Sequence, residues 1–95
     1  MRIEGKTKTG FFFSVEKEAV DNMELIDDLA DAEDGDPLAV SRICKRVLGN
    51  EQRKQLYDYL RTPEGRVPTE AVINAILDIF YAFGQEGKNG SPSPQ

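Results

Sequence analysis

Pro68-Thr69-Glu70-Ala71-Val72-Ile73-Asn74-Ala75-Ile76-Leu77-Asp78-Ile79-Phe80-Tyr81-Ala82-Phe83 is the stretch on which the fold turns. Proline pre-sets the backbone for the first helical position, so Pro68 opens a helix. Gly84 and Gly87 are expected to end it, giving a helix over roughly 68–83. Only Glu70, Asn74 and Asp78 interrupt its apolar surface, and they share one narrow stripe. A helix apolar around most of its circumference must be buried on several sides. In a 95-residue chain it is either the central core helix or a helix shared between subunits, and both readings stay open. Val72, Ile76 and Phe80 form its main stripe. Ile73, Leu77 and Tyr81, one turn apart on the flanking face, are the candidate residues for self-association.

Working upstream, Thr62 to Val67 is a loop of turn residues that follows a third helix carrying Leu56, Tyr57, Tyr59 and Leu60. Before it, Asp36-Pro37 supplies a cap and a first helical residue. Val40, Ile43, Cys44 and Val47 then make an inward stripe flanked by Leu48, and Gly49 stops that second helix. Asn50 can cap the third. The first helix begins near Glu16 or Asp21 and runs to Asp31. Asp21-Asn22-Met23-Glu24 has capping-box spacing, and Ala19, Met23, Ile26 and Ala30 fall on one face, widened by Val20 and Leu29 and taken as the inward one. Residues 1–15 suggest a short β-hairpin turning at Thr9-Gly10, with at least two rings of Phe11, Phe12 and Phe13 covering the core. The expectation is an all-α fold: a compact bundle of about four helices in one domain, 1–87, opened by that hairpin. A disordered tail, 88–95, rich in Gly, Ser and Pro, follows it.

Composition narrows the chemistry. Hydrophobic residues at 39% and charged residues at 31% describe a globular balance, and no apolar run reaches the roughly 20 residues of a membrane span. The charged start, Met1-Arg2-Ile3-Glu4-Gly5-Lys6, is unlike a secretory signal, and the single Cys44 fits a reducing cytosol. With no histidine, the commonest general base and transition-metal ligand are missing. The net charge of −5 opposes generic nucleic-acid binding. The expectation is therefore no catalytic set, no cofactor, no metal, no nucleic acid and no membrane.

Charge is distributed in blocks. Residues 16–36 hold ten acids and Lys17 alone as base, a net −9, whereas residues 42–66 hold seven bases and three acids, a net +4. The simpler reading is a solvated acidic helix beside a more basic helical pair. The sharper one is an electrostatic docking surface between copies.

Motifs with chemical meaning fail on inspection. Placing Gly35 at the sixth position of a calcium loop puts Ala30, Ala32 and Ser41 where oxygen ligands are required. The Gly84–Asn89 segment lacks phosphate-loop spacing and follows a helix rather than preceding one. Cys44 sits in an apolar stripe and reads as core. Glu24, Asp27, Asp28 and Asp31 read as an acidic helix face. The two central helices lack the basic recognition face of a helix-turn-helix.

The order of features nonetheless resembles a known family. Thr9-Gly10-Phe11-Phe12-Phe13, Asp21-Asn22-Met23-Glu24-Leu25, Gly35-Asp36-Pro37, Leu48-Gly49-Asn50-Glu51-Gln52 and Gly65-Arg66-Val67-Pro68-Thr69-Glu70-Ala71 look like the small tail assembly chaperones of long-tailed, siphovirus-type bacteriophages and prophages. The likeness covers roughly residues 6–88. Met23 departs from it, standing where a tryptophan is expected in many relatives. The resemblance implies an all-α protein of the host cytoplasm that binds the tape-measure protein, keeps it soluble and helps recruit tail-tube protein, without entering the mature virion. A client groove would use the last helix together with Phe11, Phe12 and Phe13.

The resemblance also implies a longer product made by ribosomes slipping back one nucleotide. The codons of Glu86-Gly87-Lys88, or of Gly87-Lys88-Asn89, can carry the slippery heptamers G GGA AAG or A AAA AAC, just beyond the last helix. The alternative reading is a small acidic phage-encoded regulatory protein that binds a host protein or mimics nucleic acid.

Overall fold

In the computed structural model the chain is described through residue 89, with side chains described through Gly84. It opens with a hairpin, β1 (Arg2–Lys6) and β2 (Phe12–Glu16), paired antiparallel with Ile3 opposite Val15 and Gly5 opposite Phe13. Alternation then sends Ile3, Phe13 and Val15 into the core and leaves Phe12 outside. The Phe13 ring lies over Gly5, where a Cβ would stand 3.1 Å from its Cζ. At the tip, Thr7 N–H donates to Phe11 O, and Thr7 Oγ1 accepts from Phe11 N–H. Gly10, at φ 102°, makes the turn against the Tyr59 hydroxyl. Gln52 pairs with the outer edge of β2, its amide accepting from Ser14 N–H at 2.8 Å and donating to Ser14 O at 2.7 Å.

A single turn, α1 (Lys17–Val20), leads to α2 (Met23–Glu33). Asn22, not Asp21, is the cap: its Oδ1 accepts from Glu24 N–H at 2.9 Å. Moving the cap one residue removes the expected capping box, because Leu25 then occupies its third position. Asp36 caps α3 (Pro37–Leu60) as expected, with Pro37 in its first turn. The two central helices form one element broken at Gly49, whose φ 74° and ψ 177° are open essentially only to glycine.

The last helix, α4, spans Thr69–Asn89, so it runs through Gly84 rather than ending there. Gly84 does not adopt the left-handed conformation that would stop a helix. The candidate slippage codons, Glu86 to Asn89, thus encode helical residues rather than a segment beyond the helix. The tail from residue 90 lies outside the described residues.

The four helices and hairpin enclose one core, in which Phe13, Val15, Leu25, Cys44, Leu56 and Ile79 are almost completely buried. Helix α3 is its axis: α2 packs on one side, β2 and α4 on others, and β1 lies on α4. The last helix is therefore a core helix along Val72, Ala75, Ile76 and Ile79, and only along that face.

The first helix departs from expectation in part. Ala19, Val20 and Leu29 pack against the core as expected, and Leu25, Asp28 and Ala32 turn inward with them, whereas Met23, Ile26 and Ala30 are exposed. On the inward side Leu25 is completely buried and Asp28, 5% exposed, faces two arginines of α3, which leaves the Met23 side of the helix to solvent.

Candidate functional site

Two surfaces of α2 separate the chemistry of this molecule. On one, Asp28 Oδ1 accepts from Arg42 Nε at 2.9 Å and Oδ2 from Arg46 Nε at 2.6 Å. Arg42 also reaches Asp31 at 3.4 Å and Asp36 at 3.5 Å, and Arg46 reaches Glu24 at 3.2 Å. Arg42 and Arg46 stand four apart on a helix, so both guanidinium groups reach one carboxylate. Those hydrogen bonds, Arg42's first and Arg46's second, hold the Asp28 carboxyl below the usual aspartate range. Both arginines are correspondingly raised, Asp28 being the main cause in each. The expected solvated acidic face is thus, at Asp28, an internal ionic seam between α2 and α3.

The other surface is apolar and open. Helices α2 and α4 both rest on α3 and make few contacts with each other. Between them lies a groove of about 460 Å³, with Val40 and Ile43 of α3 among its lining residues. Leu29, Ala32 and Glu33 line it from α2, and Ile73, Ile76, Leu77 and Phe80 from α4. Ile73 is 38% exposed and Leu77 55%, large apolar side chains that the fold leaves uncovered. Past Leu77 the surface continues into a second hollow of about 490 Å³ lined by Lys8, Leu77, Asp78 and Tyr81. There Asp78 accepts from the backbone N–H of Lys8 at 2.8 Å, which fixes the hairpin tip to α4.

Of the sequence-derived site residues, the structure brings Ile73 and Leu77 together in the groove and places Tyr81, 69% exposed, beside it. It does not bring the phenylalanines there. Phe11 and Phe13 are core residues, Phe11 against Tyr59 with ring centroids 5.6 Å apart, so neither offers a client surface. Phe12 is exposed but is not among the groove's lining residues. On the α2 wall, Leu29 belongs to the face expected to point inward, whereas Ala32 and Glu33 lie outside that expectation. Ala32 stands three residues after Leu29, on the side of α2 opposite Met23.

Cys44 is fully buried, and burial pushes its thiol pKa up, away from the thiolate that nucleophilic chemistry needs. Among the described residues, no group of three or more His, Cys, Asp or Glu is placed to hold a metal ion, and no helix is long and apolar enough to cross a membrane. Comparison of the chain with protein-family models, curated proteins and solved structures finds no match.

Proposed function

We propose that this protein is a tail assembly chaperone of a long-tailed bacteriophage or prophage, acting in the host cytoplasm. On this reading it holds apolar helical segments of the tape-measure protein in solution and helps bring tail-tube subunits to them. The observation that carries the reading, beside the resemblance of the sequence, is the open groove between α2 and α4. A small domain that leaves Ile73 and Leu77 uncovered beside a 460 Å³ apolar groove has surface to offer a helix. Self-association belongs to the same reading: copies without a client shield Ile73, Leu77 and Tyr81 against one another, and the client displaces them.

Co-expression with the tape-measure protein tests this. The client is expected in the soluble fraction with the chain present and in the pellet without it. Equal client solubility in both cases removes the chaperone reading and favours the small acidic regulator, for which an acidic α2 is the supporting feature. The coding nucleotides offer an independent check. A slippery heptamer at codons 86–89 followed by an open −1 frame is expected, and codons that break both heptamers would count against the longer product.

A further inference from the structure

The charges around the groove indicate what kind of helix fits it. Glu24, Asp28, Asp31 and Asp36 all lie against Arg42 or Arg46, so each acid on that side has a cation partner within the chain. Glu33, which lines the groove, is exposed and has no ion-pair partner among the described residues. Glu70 stands one turn before Ile73 and two before Leu77 on α4, exposed and likewise unpaired among the described residues. Lys8, beside Leu77 and Tyr81 in the adjoining hollow, is nearly fully exposed, its ammonium 3.9 Å from Asp78. The groove therefore has apolar walls and, at Glu33, an unpaired negative charge among the described residues, with Glu70 on the same face of α4 as Leu77.

We propose that the occupant of this groove is an amphipathic helix of a partner protein whose apolar stripe is flanked by Lys or Arg. The groove takes the stripe, and the flanking cations lie against Glu33 and Glu70. A second copy of this chain fits less well. The apolar faces it would bring, on α2 and α4, carry these same acids, so pairing them sets like charges together. The inference rests on the client-holding reading and adds to it the charge of the segment that is held.

The test uses the full chain and two synthetic helical peptides of about five turns each, with the same Leu/Ala stripe. One peptide has lysine flanks and the other glutamate flanks, and binding is followed by fluorescence anisotropy. The lysine-flanked peptide is expected to bind about tenfold tighter at low salt, with the gap closing as salt is added. Glu33→Lys should narrow the gap. Leu77→Asp should abolish binding although it adds negative charge, which separates the groove from attraction to an acidic protein in general. Leu77 is exposed, and circular dichroism verifies the fold of each variant. Equal binding of both peptides, undiminished binding to Leu77→Asp, or a tight dimer that neither peptide displaces overturns the proposal. Were that to happen while co-expression still kept the tape-measure protein soluble, the groove assignment would fall and the chaperone reading would stand.

Discussion

The two margins of α2 are built on opposite principles. Toward α3 it is closed by charge, with a nearly buried carboxylate taking hydrogen bonds from two guanidinium groups. Toward α4 it is open and apolar, with α3 lining the gap. A buried carboxylate must be paired within the chain because a lost partner leaves its desolvation uncompensated. An exposed isoleucine or leucine carries no comparable penalty and can await a partner. The seam thus sets where α2 sits, and that placement leaves the groove unfilled.

The contrast is tested most severely by making the same change on both sides. Leu25, fully buried where α2 meets the core, should lose about 2–5 kcal/mol of stability when changed to alanine. Leu77→Ala in the open groove should stay within about 0.5 kcal/mol of the parent. Chemical denaturation of the two variants measures both, and similar losses would mean that the groove is core.

A smaller effect is expected from the seam's charge. The Asp28 pKa is depressed in the folded chain, so the unfolded chain binds the extra proton over the interval between the two values. The stabilisation from Asp28 is fully present above the ordinary aspartate pKa of about 3.9 and is lost as pH falls through the lower folded value. Asp28→Asn should lower the denaturation midpoint at neutral pH and flatten its decline in acid. A variant whose acid limb matches the parent's would show that other carboxylates govern it.

Much of this architecture was legible in the chain. Asp36-Pro37 and Gly49 act locally, the first through a side-chain cap and the second through a backbone conformation that the missing Cβ opens, and both fall where the sequence places them. The hairpin followed from Thr9-Gly10 and the aromatic run, although the order of buried and exposed phenylalanines needed the strand register. The full orientation of α2 was not legible from periodicity, because Leu29 is compatible with a stripe through Met23, Ile26 and Ala30 as well as with one through Leu25 and Ala32. The second places Asp28 against Arg42 and Arg46, contacts between residues 14 and 18 positions apart that periodicity does not carry. Ile73 and Leu77 fall where their spacing places them, on the face of α4 that flanks its buried stripe. The facing wall depends on how α2 is turned, and Ala32 and Glu33 were hidden for that reason.

On the proposed function, the α2–α4 groove is a surface for a client and not unfinished core. Co-expression of the tape-measure protein with a Leu77→Asp chain puts that to the test. The variant should keep its own denaturation midpoint and leave the client in the pellet. If the variant folds and still keeps the client soluble, the groove is not the surface that holds it.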